Sequence, residues 1–174
     1  MYYHFNKNIF NKLIVFGNYK NSWEIPKIDK ISLHFGLRKI IVNNKQILSA
    51  YSALTTISEQ KIVLCPANKA NIVLKIRKGM MVGCKTTLRK NSKFKFLNSL
   101  IINYLYLNKL KVSRQASISH NTLTLRVDDL FNFKSLESFF EYFEELPFMN
   151  ISISSTANNS VDFFKHLNAL GLVI

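Results

Sequence analysis

Three segments of this chain alternate apolar with polar side chains, and that period of two decides most of what it can become. Within Ile28–Phe35, Ile31, Leu33 and Phe35 fall on one side, Ser32 and His34 on the other. Within Val82–Arg89, Val82, Cys84, Thr86 and Leu88 oppose Lys85, Thr87 and Arg89. Within Thr122–Val127, Leu123, Leu125 and Val127 oppose Thr124 and Arg126. Successive side chains of a strand leave on opposite faces, so each segment predicts a strand with one face in a core. Ile151–Thr156 reads as a further strand exposing Ser152 and Ser154, and Ile62–Leu64 as a short one broken by Pro66.

Other segments carry a helical period. Asn43 with Gln46 three residues on resembles a capping box, and Ile47, Tyr51, Leu54 and Ile57 follow at helical spacing, which predicts a helix over Asn43–Ser58. A second is predicted over Ser92–Leu107, with Phe96, Leu97, Leu100, Ile101 and Tyr104 inward. A third, acidic and amphipathic, is predicted over Leu136–Leu146, with Leu136, Phe139, Phe140 and Phe143 as its stripe. A last helix, Val161–Leu170, ends at Gly171. Strands and helices mixed around hairpins predict an α+β fold: a single mostly antiparallel sheet with helices packed on one face. Residues 1–24 read as an N-terminal extension whose apolar patch fits one helix stopped near Gly17, and residues 25–174 as one domain. No apolar run reaches the roughly 20 residues a membrane helix needs, so no membrane insertion is expected.

Charge then narrows the function. The chain holds 24 basic residues against 10 acids, a net charge of +14. Such an excess destabilises a compact state by self-repulsion, which points to an anionic partner, nucleic acid or a membrane surface. From Gln60 to Val127 there are 14 Lys or Arg and no Asp or Glu, whereas seven acids follow from Asp128 onward. A merely solvated sheet face interleaves acids to limit repulsion. A face of Ser32, His34, Lys85, Thr87, Arg89, Thr124 and Arg126 instead suits RNA, because cations displace counterions and hydroxyls bond phosphate or ribose oxygens. The segment Pro66–Gly79 adds Lys69, Lys75, Arg77 and Lys78. It fits a projecting hairpin that reaches a second polyanion, and equally an ordinary surface hairpin. Gly79 is expected to serve a turn, and Gly83 a bulge or a close backbone approach.

Catalysis is not expected. The basic half has no carboxylate for acid–base work, and Glu137, Glu141, Glu144 and Glu145 share one predicted helix as a solvated face. Four scattered histidines and two cysteines, Cys65 and Cys84, show no metal-ligand spacing, so no cofactor or metal is expected and the thiols read as reduced.

Ile76–Lys90 reads IRKGMMVGCKTTLRK. It is similar to LREGMPIGCKVTLRG, the central signature of the universal large-subunit ribosomal protein L-five family, which binds 5S ribosomal RNA. Ile25-Pro26-Lys27-Ile28 with Phe35-Gly36 resembles that family's opening strand. Gln60-Lys61 resembles its GQK, with Glu59 in place of the glycine, and Met149–Ala157 resembles its terminal MDITIVTTA. The resemblance implies that His34, Gln60, Lys61, Lys85, Thr87 and Arg89 face ribosomal RNA. It also implies that Lys69, Lys75, Arg77 and Lys78 belong to a hairpin near peptidyl-site tRNA. A place in the central protuberance follows, with neighbouring large-subunit proteins and a bridge to a small-subunit head protein.

Several features depart from the pattern. Arg38 replaces a glycine, Pro66-Ala67-Asn68-Lys69-Ala70 replaces KARKS, and LNKLKVSRQASISHNT replaces an Arg- and Gly-rich segment. With 19 asparagines, these features resemble mitochondrial members, some of whose ribosomes lack 5S RNA, so the large-subunit RNA is the other candidate partner. The expectation is a mitochondrial ribosomal protein, encoded in an A+T-rich organelle genome. The rival reading keeps the basic face but removes the ribosome: a free-standing RNA-binding or RNA-processing factor.

Overall fold

The computed structural model describes residues 10–15, 19, 21, 23–36, 45–105, 116–119, 121–143, 146–157, 159–170 and 172. Gly17, Arg38, Asn43, Leu107, Glu144, Glu145 and Gly171, and with them residues 106–115, lie outside this set. Six strands form one sheet: β1 (Ile28–Gly36), β2 (Val63–Pro66), β3 (Met81–Leu88), β4 (Ala116–Ser119), β5 (Thr122–Val127) and β6 (Met149–Ser155). Their order is β2-β3-β1-β6-β5-β4. With helices α1 (Lys45–Ser58), α2 (Lys90–Ser99), α3 (Lys134–Glu137), α4 (Phe140–Phe143) and α5 (Ser160–Ala169), this is the expected α+β architecture. The chain divides into two compact units.

One unit takes in residues 32–88 and 126–151. Its β2 and β3 pair antiparallel, Val63 opposite Lys85 and Cys65 opposite Gly83. The core side of β3 buries Cys84, Thr86 and Leu88, and α1 packs against this strand with Ala50, Ala53 and Leu54 buried. Ile47, Tyr51 and Ile57 are only half-buried. The two alanines, which a search for large apolar residues passes over, let the helix approach the sheet. Pro66 does not break β2 but ends it, after a register shift between Cys65 and Pro66. β2 is an edge strand, where a missing N–H costs no ladder bond. Gly83 runs so close to β1 that a Cβ would stand 2.6 Å from the Phe35 carbonyl oxygen.

The acidic helix expected over Leu136–Leu146 is instead the short pair α3 and α4, after a 3-10 turn at Leu130–Asn132. Tight i→i+3 bonds run from Phe139 N to Leu136 O and from Tyr142 N to Phe139 O. Such turns rotate the stripe out of register. Leu136 and Phe143 are buried, but Phe139 and Phe140 stand 51% and 53% exposed.

The other unit takes in residues 1–31, 89–125 and 152–174. Here α2 runs on into a π-helical stretch, Leu100–Leu105, and buries Phe96, Leu97 and Leu100. β4, which no sequence pattern indicated, pairs antiparallel with β5, Ser119 opposite Thr122. Lys27 N donates to Thr156 Oγ1 at 3.0 Å, tying the entry of β1 to the exit of β6. Beside this tie Ser155 Oγ stands 3.1 Å from His166 Nδ1 in α5. Burial pushes the His166 pKa down to about 4.

Glu59, just past the end of α1, has φ +52, and Lys90, at the start of α2, has φ +50. Both stand where the family's sequence pattern has glycine. An L-residue in the left-handed region costs about 1–2 kcal/mol. Glu59→Gly is therefore expected to raise unfolding free energy by about 1 kcal/mol, and Gly83→Ala to lower it by about 1–3 kcal/mol, both read from urea melts. The unfolded chain protonates His166 near its ordinary value of 6.5, while the folded chain resists down to about 4. That contribution is complete above pH 6.5 and is lost as pH falls toward 4, since the unfolded state then binds the extra proton. The urea midpoint of the full chain is expected to drop across that window, and His166→Gln to flatten the drop.

Candidate nucleic-acid interface

The pleat of β3 separates two chemistries. Cys84, Thr86 and Leu88 enter the core, while Lys85 and Thr87 stand exposed on the other face, with Arg89 exposed just beyond the strand. Burial pushes the Cys84 thiol up to about 11, so it stays protonated in the core. Cys65 stands opposite Gly83, on the Lys85 face, so the two thiols leave the sheet on opposite sides.

The same face continues onto the neighbouring strands. On β1, His34 is half-buried between the buried Leu33 and Phe35. On β6, Asn150 sits between the buried Met149 and Ile151, and its Nδ2 lies 3.2 Å from His34 Nε2. Burial lowers the His34 pKa, which favours the neutral ring. On β5, Arg126 lies between the buried Leu125 and Val127. Its guanidinium carbon is 3.7 Å from the centre of the Phe148 ring, and its Nε donates to Asp128 Oδ1 at 2.9 Å. In the strand order β3-β1-β6-β5 these residues form a band across the polar face: Lys85 and Thr87, then His34, then Asn150, then Arg126. Alternation in the sequence predicts His34, Lys85, Thr87 and Arg126 on that face. Asn150 was missed, although the flanking Met149 and Ile151 carry the same alternation. The Phe148–Arg126 stack had no sequence signal, because its partners are 22 residues apart.

Gln60 and Lys61 sit between α1 and β2. Gln60 N donates to Ser58 Oγ at 3.3 Å, in a turn that the left-handed Glu59 makes possible. Lys61 is exposed, two residues before Val63, which pairs with Lys85. The structure thus brings Lys61 toward the Lys85 strand.

The segment between β2 and β3 is a hairpin. Ala67 N donates to Met80 O at 2.8 Å and Gly79 N to Ala67 O at 2.9 Å, while Asn71 and Ile76 exchange bonds of 2.8 and 2.9 Å. Gly79 has φ +86, the turn role expected of it. Lys69, Lys75, Arg77 and Lys78 are all exposed. The tip is aliphatic: Ile72 and Val73 are 92% and 90% exposed. Leu74 N donates to Asn71 Oδ1 at 3.2 Å, which closes the turn beneath them.

Away from this face, Glu137, Glu141, Phe139, Phe140 and Tyr142 make an exposed acidic and aromatic surface on α3 and α4. Among the described residues, no group of three or more His, Cys, Asp or Glu side chains could hold a metal, and no helix is long and apolar enough to cross a membrane. Phe148→Leu, which removes the ring but keeps an apolar side chain, is expected to cost about 0.5–1 kcal/mol by urea melt, the size of an exposed cation–π contact.

No family model matches the chain. Full-length relatives do. It is 30% identical over 173 residues to "Large ribosomal subunit protein uL5" of Buchnera aphidicola subsp. Baizongia pistaciae, covering 97% of this chain and 94% of that protein. It is 31% identical to the uL5 protein of Desulforapulum autotrophicum, over 95% of this chain and 96% of that one. It is 35% identical over 158 residues to "Large ribosomal subunit protein uL5c" of Chlorokybus atmophyticus, over 88% and 83% of the two chains.

Proposed function

This chain belongs to the uL5 family of large ribosomal subunit proteins, and from that membership we propose that it is a structural constituent of a large ribosomal subunit whose sheet face binds ribosomal RNA. The family is non-enzymatic. The observation that carries the reading is β3, which turns Lys85 and Thr87 outward and leads to an exposed Arg89, while its other side is sealed in the core. A rigid strand of this kind presents cations and hydroxyls at fixed spacing, so phosphate and ribose contacts form without ordering a loop.

The finer parts belong to the same proposal. His34, Gln60 and Lys61 join Lys85, Thr87 and Arg89 as RNA contacts. The partner is 5S ribosomal RNA where one exists and the large-subunit RNA otherwise. The hairpin bearing Lys69, Lys75, Arg77 and Lys78 lies near peptidyl-site tRNA in the central protuberance. Its exposed aliphatic tip supports a docking role, since three adjacent aliphatic residues, Ile72–Leu74, gain nothing from water. The acidic, aromatic surface of α3 and α4 repels phosphate, which supports protein neighbours there, a small-subunit head protein among them. A mitochondrial ribosome is proposed on the 19 asparagines and the departures from the family pattern. The bacterial and chloroplast relatives support a ribosomal location without choosing the organelle. Residues 25–174 are the proposed family domain, with 1–24 as the leading segment.

Charge reversal at Lys85 and Arg89 tests the RNA face. Binding of the double variant to deproteinised large-subunit RNA is expected to weaken, and the slope of log affinity against log salt to flatten by about one unit for each phosphate no longer neutralised. An unaltered slope would remove β3 from the interface. The chain should also sediment with large subunits in high salt, which a free-standing RNA-processing factor would not.

A further inference from the structure

We propose that Asn150 is a positioning residue that holds His34 as a neutral, single-proton hydrogen-bond donor, so that the sheet face meets an RNA acceptor by direction as well as by charge. The inference rests on the RNA-binding reading above and deepens it. Asn150 Nδ2 lies 3.2 Å from His34 Nε2. An amide nitrogen has hydrogens to give and no lone pair to offer, so the ring nitrogen facing it accepts. The ring proton then sits on Nδ1, and none of the described residues bonds that atom.

Buried neighbours hold the backbone on both sides of each partner. Leu33 and Phe35 anchor His34 from β1, and Met149 and Ile151 anchor Asn150 from β6. The charged groups on this face also oppose a protonated ring. On β3, the other neighbour of β1, Lys85 is the one ionisable side chain turned outward from the strand, and β1 itself adds Lys30. β6 offers no ionisable side chain. Half-burial of the ring acts in the same sense. A lysine attracts any phosphate within reach, but one N–H on a fixed ring favours an acceptor in one place, such as a ribose, base or phosphate oxygen.

The test uses the full chain with 15N-labelled histidine. A long-range 1H–15N correlation spectrum at pH 7 should show His34 as the Nδ1–H tautomer, and Asn150→Ala should shift it toward a mixture. Filter binding to deproteinised large-subunit RNA should show Asn150→Ala and His34→Ala each weakening affinity by about two- to tenfold, the worth of one hydrogen bond. Their salt slopes should match the unaltered chain, and the double variant should bind no more weakly than either single one. An Nε2–H tautomer in the unaltered chain, additive losses in the double variant, or a slope that falls as it does for the Lys85 and Arg89 reversal would each overturn the proposal. If that charge reversal leaves RNA binding untouched while the Nδ1–H tautomer is present, the RNA reading is what fails.

Discussion

The close passage of β3 along β1 at Gly83 is the constraint on which the proposed interface depends. A side chain at this position would collide with the Phe35 carbonyl, so only glycine lets the two backbones sit at that spacing. What this close approach protects is register. A slip of one residue would turn Lys85 and Thr87 into the core and bring Cys84, Thr86 and Leu88 to the surface. Burying unpaired cations is far more costly than the few kcal/mol that separate folded from unfolded chains. The register that seals the core is therefore also the one that shows the cations.

Electrostatics then divides the surface by partner. The outward residues of β3 and the hairpin carry cations and no acid. Arg126 differs, since stacking on Phe148 and bonding to Asp128 hold its guanidinium in one orientation and reduce its net field. His34, whose pKa burial lowers, adds little charge to this face. The acids Glu137 and Glu141 stand with exposed aromatic rings on α3 and α4, in a part of the chain that RNA would avoid. In a chain of net charge +14, β3 and the hairpin thus show cations suited to a polyanion, and α3 and α4 a patch that is not.

Two positions show what sequence drift costs. Glu59 and Lys90 occupy left-handed backbone where the family's pattern has glycine, and the fold keeps the conformation regardless. At Glu59 the N–H still bonds the Thr55 carbonyl, closing the C-terminus of α1 before the chain turns through Gln60 into β2. At Lys90 the chain leaves β3 for α2. Both places are junctions, where the path of the chain is set by the elements on either side and a side chain must accept the dihedral it is given.

Alternation alone determined the one-sided strands, the burial of Ile31, Leu33, Phe35, Cys84 and Leu88, and the outward place of His34, Lys85 and Thr87, because the pleat has a period of two whatever surrounds it. Composition pointed to an anionic partner, because charge sums without regard to fold. The signature at Ile76–Lys90 pointed to the family. Strand order was beyond the sequence, and with it the meeting of His34 with Asn150, 116 residues apart. So were the Arg126–Phe148 stack, the division of the acidic helix into α3 and α4, the replacement of large residues by Ala50 and Ala53 at the α1 seam, and the aliphatic hairpin tip. Each depends on which elements become neighbours, and neighbourhood follows from the packing of the whole sheet rather than from any local run of residues.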